Sequence, residues 1–217
     1  MTNAAVSRPA PQGLAARILA ARLVSGVLND RRPFEHVLLE CLGRPDAVAM
    51  APRDRALARL VAATVLRRQG ELEFVLNSFL ERPLPAQDRR RLWPILLTAA
   101  AQLLCLDMPA HAVVDLAVET VRRDRGVHRF AKLSNAVLRR VGEKGKTILA
   151  GQDGTKLNIP DWLWQRWSAA YGADGARRIA QVSLAEAALD VSIKGANAAE
   201  WAERLGGRLL ATGSVRL

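Results

Sequence analysis

Ile95-Leu-Leu-Thr-Ala-Ala-Ala-Gln-Leu-Leu-Cys-Leu106 is apolar nearly all round. A helix without a polar face belongs inside a larger assembly of helices or inside a membrane. This run is well short of the roughly 18 apolar residues that a membrane span needs, so it predicts the central helix of a packed bundle. The flanking sequence agrees. Leu14, Ile18, Leu19, Leu23, Val27 and Leu28 recur at helical spacing, with Arg17 and Arg22 off that stripe and turned to water. Pro33 opens a short second helix with Phe34, Val37, Leu38 and Cys41 inward. Pro52 to Glu81 is helical apart from a joint near Gln69-Gly70. Asp88 reads as the N-cap of the central helix, with Pro94 tolerated near its first turns. Pro109 opens a helix through Arg123, and Val127 to Val141 gives the last. The fold class is therefore mainly α, an all-helical bundle of about seven helices in two antiparallel groups.

The rest of the chain is different in kind. Glu143 to Asn158 is rich in Gly, Lys, Gln, Asp and Thr and predicts a linker. Pro160 to Tyr171-Gly172 predicts a short helix, and Ala173 to Ala187 a second. Ala188 to Lys194 alternates with period two, as a strand does. Asn197 to Leu205 predicts a short helix and Gly207 to Leu210 another strand, with Thr212 to Leu217 entering a third. Two strands alone are marginal in water, which predicts that the chain ends inside a small α+β segment. The expected organisation is a flexible tail over 1–13, a helical domain over 14–142, a linker over 143–158 and an incomplete α+β subdomain over 159–217.

Charge supplies the first functional clue. The chain carries 27 Arg and 5 Lys, with a formal net charge of +11. Up to Gly142 there are 22 basic and 13 acidic side chains; from Glu143 onward there are 10 and 8. Codon bias in a GC-rich genome accounts for part of the arginine excess, but it need not unbalance arginine against the acids. Guanidinium forks bind phosphate in bidentate fashion and stack on bases, so the first two thirds of the chain suit a nucleic-acid partner.

Other chemistries find little support. Cys41 and Cys105 lie in apolar helical sequence, where thiols are packing groups, and no CxxC or zinc spacing occurs. No metal is expected. His111 stands one turn into its helix with no second ligand at metal spacing, which predicts a capping or packing role. Gly142, Gly145, Gly151 and Gly154 follow no strand and match no phosphate-binding fingerprint. Trp164 and Trp167 share a helix face with a packing role, beside Trp162. Met1 to Gly13 does not read as a signal peptide and no run is long enough to cross a membrane, so a cytoplasmic location without membrane contact is expected.

Four stretches carry a family resemblance: Asp54-Arg-Ala-Leu-Ala58, Val65-Leu-Arg-Arg68, Pro109-Ala-His-Ala-Val-Val114 and Asn135-Ala-Val-Leu-Arg-Arg140. Residues 14–142 resemble the NusB-like domain. The continuation through Ile159-Pro-Asp-Trp-Leu-Trp164 and Tyr171-Gly172 is similar to the ribosomal RNA cytosine-C5 methyltransferase family called RsmB, Sun or Fmu. That resemblance implies a NusB-like domain, a connecting segment, an RRM-like subdomain and then an S-adenosylmethionine-binding catalytic domain. It also implies that the catalytic cysteines and cofactor loop lie beyond Leu217, so no catalytic or cofactor-binding residue is expected in this chain. The implied partners are 16S ribosomal RNA and the enzyme's own C-terminal methyltransferase domain. Asp115-Leu116 departs from the family, which more often has Asn-Glu there. The alternative is a NusB-like antitermination or ribosome-assembly factor that joins RNA to a protein; a third is a helical protein-docking domain.

The expected RNA-binding residues form two groups. Arg8, Arg17, Arg22, Arg31 and Arg32 make an N-terminal basic edge. Arg122, Arg123, Arg129, Lys132, Arg139 and Arg140 concentrate on the last two helices, where some are expected to pair with Glu119 or Asp124. Phosphate neutralisation by either group would make binding salt-dependent. Asp54, early in its helix, has a structural role favoured by the macrodipole.

Overall fold

The computed structural model describes residues 11–194 and 197–217. One compact unit runs to Ala180 and a second covers Gln181–Leu217. The first is built from α1 (Leu14–Leu28), α2 (Phe34–Leu42), the one-turn α3 (Pro45–Val48), α4 (Pro52–Arg67) and α5 (Gln69–Ser78), followed by α6 (Ala86–Leu104) and α7 (Ala110–Arg123). A 3-10 turn (His128–Phe130) then leads into α8 (Ala131–Ala150), α9 (Gly154–Leu157) and α10 (Asp161–Leu184), whose last turn passes into the second unit.

Helix α6 is central, as its composition requires. Every residue from Leu92 to Leu103 is buried, and the helix packs against α1, α4, α5, α7 and α8. The core is leucine-rich: Leu14, Leu23, Leu72, Leu76, Leu92, Leu96, Leu97 and Leu138 are all fully enclosed. Each such side chain contributes about 1.5–3 kcal/mol by leaving water. Helix α1 is buried over a wider arc than its leucines alone suggested, because Ala16, Ala20, Ala21 and Val24 also face inward. Its small side chains let α4 and α6 approach on two sides.

Pro94 lies in the interior of α6, beyond the first turns where it was expected, because the helix begins at Ala86. Proline has no N–H, so the carbonyl of Arg90 loses its helical donor. The side chain of Asn29, the C-cap residue of α1, fills the gap: its Nδ2 donates to the Arg90 carbonyl oxygen at 2.8 Å. Asp88, expected to cap this helix, is instead its third residue and buried; Pro85 holds the cap position.

The expected linker over 143–158 is mostly helix. Helix α8 continues to Ala150 and α9 follows after three residues. Gly145 serves close packing rather than freedom. A Cβ at Gly145 would lie 2.7 Å from Leu104 Cδ2 and 3.3 Å from Val75 Cγ1, so the missing side chain lets α8 settle on α5 and α6. Helix α9 is held down on α5 in the same way, since a Cβ at Gly70 would fall 1.8 Å from the Leu157 carbonyl oxygen. The buried carboxylate of Glu71 secures that contact. It accepts two bonds from Arg68, at 2.7 and 2.9 Å, and one from Asn158 Nδ2 at 2.8 Å. Asn158 Oδ1 in turn accepts from the Glu71 backbone N–H at 3.2 Å.

Helix α10 is two segments joined at Gly172, whose φ of 72° suits glycine and breaks the helix where Tyr171-Gly172 predicted. The second unit holds β1 (Asp190–Ser192), α11 (Ala198–Arg204), β2 (Arg208–Leu209) and β3 (Ser214–Arg216). The strands form an antiparallel sheet in the order β1-β3-β2. The third strand, at the chain's end, is the central one. Val215 on it is fully buried, with Ala202 of α11 beside the sheet. Arg216 grips Asp190 across the β1–β3 pair with two bonds of 2.7 Å, which holds the Asp190 carboxyl below its ordinary value.

Candidate nucleic-acid interface

The N-terminal basic edge is largely tied up within the protein. Arg8 lies outside the described residues. Arg17, expected to face water, turns inward: its Nε donates to Gln102 Oε1 at 2.9 Å and its Nη1 to the Gly13 carbonyl at 3.3 Å. The side-chain stem is long enough to cross from the edge of α1 to α6, where Gln102 is only 1% exposed. Burial lowers the proton affinity of Arg17, opposed by the nearby charge of Asp54. Arg22 donates to Asp46 at 2.5 Å and Arg32 to Glu40 at 2.6 Å. Both carboxyls are pulled below their ordinary range by these hydrogen bonds. Arg31 is exposed, in a left-handed backbone conformation with φ 54°. Arg55 is structural: its Nη1 donates to the Met50 carbonyl at 2.8 Å and the Val48 carbonyl at 3.2 Å.

Four members of the second basic group, Arg122, Arg129, Lys132 and Arg139, line one surface feature. The short turn over 124–130 makes α7 and α8 antiparallel neighbours, and their exposed edges enclose a groove. Its wider end has a volume of about 790 Å³ and is lined by Arg122, His128, Arg129, Lys132 and Asn135, with Asp115 and Glu119 on the α7 side. A smaller hollow of about 390 Å³ continues along the same helices past Asp115 to His111, Arg139 and Glu143. His111 is exposed at that end and does not pack into the bundle. His128 Nδ1 donates to the Arg125 carbonyl at 2.9 Å.

The cations of this group differ in how firmly they are held. Arg123 pairs with Glu119 at 2.7 Å, as the sequence suggested. Arg129 is held by the buried carboxylate of Asp88, donates to the Gly126 carbonyl at 3.2 Å and lies 4.7 Å above the Phe130 ring. Arg122, Lys132, Arg139 and Arg140 are exposed, and none has an ion-pair partner among the described residues.

A third feature was missed in the sequence. Arg89-Arg90-Arg91 opens α6, and a cleft of about 460 Å³ between α1, α6 and α7 brings Arg90 and Arg91 together with Arg22 and Arg123. The two predicted groups therefore meet here. The signal in the sequence is three consecutive arginines, which lie on a helix whose cap residue and proline carry the stronger local pattern. Each guanidinium in this cleft has its own carboxylate: Arg22 with Asp46, Arg90 with Asp30, Arg91 with Asp124 and Arg123 with Glu119. Arg89 is stacked over Trp93 at 4.0 Å.

Among the described residues no group of His, Cys, Asp or Glu side chains gathers as a metal site, and no helix is long and apolar enough to cross a membrane. Burial raises the pKa of both thiols, Cys41 and Cys105, which makes them poor nucleophiles.

Comparison with known proteins gives a consistent picture. The model of the NusB family matches residues 14–143. The ribosomal RNA small subunit methyltransferase B of Xanthomonas campestris is 37% identical over 164 residues, which is 75% of this chain and 35% of that protein. The protein of the same name from Pseudomonas putida is 31% identical over 173 residues, 74% of this chain and 38% of that protein. The chain thus spans little more than a third of the curated relatives it matches. Among solved structures, T. maritima NusB superposes with a TM-score of 0.51 at 19% identity, covering 62% of this chain and 92% of that one.

Proposed function

This chain belongs to the NusB family, and from that premise we propose that it is the RNA-recognition part of an enzyme that methylates small-subunit ribosomal RNA. The observation that carries this reading is the reach of the match. Similarity to proteins named ribosomal RNA small subunit methyltransferase B covers 75% of the chain. The NusB fold accounts for only 62% of it. A stand-alone RNA- and protein-binding factor would need only the latter. In this reading the substrate is 16S ribosomal RNA, the reaction is methyl transfer to C5 of cytosine, and S-adenosylmethionine supplies the methyl group. In this reading the residues described here bind and position RNA rather than touch reacting atoms. Their task is to hold RNA by its phosphates and bring it to a methyltransferase domain, in a cytoplasmic setting.

The direct test is binding of the 217-residue chain to fragments of 16S ribosomal RNA across a salt series, against a scrambled RNA of equal length. The expected result is affinity that falls steeply with salt and favours at least one ribosomal fragment. Equal affinity for scrambled RNA at every salt concentration would remove the assignment to ribosomal RNA.

A further inference from the structure

We propose that RNA lies along the groove between α7 and α8, and that Arg17, Arg22 and Arg32 of the N-terminal edge serve contacts within the protein rather than RNA. This rests on the RNA-binding reading above and goes beyond it by assigning the site. The argument is one of free charge. A phosphate gains most from a cation that is exposed and not already neutralised. At the N-terminal edge Arg17 is engaged by Gln102, Arg22 by Asp46 and Arg32 by Glu40. In the cleft between α1, α6 and α7, all four guanidinium groups have a carboxylate. Binding RNA there means carrying those carboxylates against the backbone or breaking the pairs.

The α7–α8 groove offers the opposite arrangement. Arg122, Lys132 and Arg139 line it and have no ion-pair partner among the described residues. Lys132 and Arg139 are seven residues apart on α8, roughly 10 Å along its axis, a reach suited to phosphates along one strand. Arg129 is fixed by Asp88 and by its carbonyl contact, so it supplies a positioned donor at the Lys132 end of the groove. Asn135 lies in the same wall and offers an amide to a base or ribose. One carboxylate, Asp115, lines both hollows, and no cation pairs with it among the described residues. It repels a phosphate passing through, so its removal has the opposite sign from removal of the cations.

The experiment is fluorescence anisotropy with a labelled single-stranded fragment of 16S ribosomal RNA and the full chain, from low to moderate KCl. The groove variant R122A/K132A/R139A is expected to lose affinity on the order of 10- to 100-fold and to flatten the log–log salt slope by about 2. The edge variant R22A/R32A should stay within about two-fold of the parent, because its guanidinium groups are already neutralised. D115N should tighten binding a few-fold, roughly two- to five-fold, as a like charge leaves the path. Loss of affinity in the edge variant equal to that in the groove variant would overturn the assignment while leaving RNA binding intact. So would a groove variant that binds like the parent. Failure of the parent chain to bind at low salt would overturn both. Polyglutamate serves as a second probe: if it binds as tightly as RNA and is lost in the groove variant, the groove docks an acidic protein and the proposal falls.

Discussion

Arg17 shows how far a single side chain can depart from its place on a helical wheel. Periodicity locates a Cβ, but a guanidinium sits several bonds away and follows the best acceptor. Here that acceptor is Gln102 Oε1, inside the bundle. Arg17→Ala leaves this oxygen enclosed without its partner and should cost about 1–3 kcal/mol in urea denaturation, with RNA affinity little changed. Ser134 is the reverse case. Its hydroxyl is fully buried with no partner among the described residues, so Ser134→Ala should be neutral or stabilising by up to about 1 kcal/mol in the same assay. Asp153 caps α9 and accepts bonds from Thr155 and Arg177, which hold its pKa at about 2 against an ordinary 3.8. Because the folded value is depressed, the contribution of this contact is complete above the ordinary value. It is lost as pH falls from about 3.8 through about 2. The carboxyl carbon of Asp153, followed by NMR, should titrate near the lower value, and Arg177→Ala should move the midpoint upward.

At the scale of elements, what the sequence disclosed depended on which kind of signal each segment carried. The central helix was legible because burial on all sides leaves no polar stripe. The break at Gly172 was legible from local chemistry. The stretch after Gly142 was misread because composition does not distinguish a glycine kept for freedom from one kept for close approach. Gly142 and Gly145 separate the two cases within one helix. A Cβ at Gly142 meets Ala110 only at an ordinary 3.8 Å, so Gly142→Ala should stabilise by about 0.5–1 kcal/mol through helix propensity. Gly145→Val drives a branched side chain into Leu104 and Val75 and should cost about 1–3 kcal/mol. Thermal melts of the two variants should therefore shift in opposite directions. The buried role of Asp88 was equally hidden, since its partner Arg129 lies 41 positions away.

For the molecule as a whole, composition indicated the kind of partner but not the face. Sequence grouped the arginines by position along the chain; folding regroups them by the carboxylates they meet. Arg22 and Arg123 end in one cleft, while Arg122, next to Arg123, lines a different groove. The net charge of +11 has its own consequence. Self-repulsion of this size is screened by salt, so the melting temperature of the chain should rise with moderate KCl while RNA affinity falls. Calorimetry and anisotropy on the same samples would show the two trends crossing. Heredity acts on the whole chain as well, and Asn29 and Pro94 are coupled in it. A descendant that exchanged Pro94 for a residue with an N–H would regain the helical bond to Arg90 and free position 29 to drift. One that lost Asn29 first would carry the defect until Pro94 changed. Across descendants of this sequence the two positions, far apart in the chain, should vary as a pair.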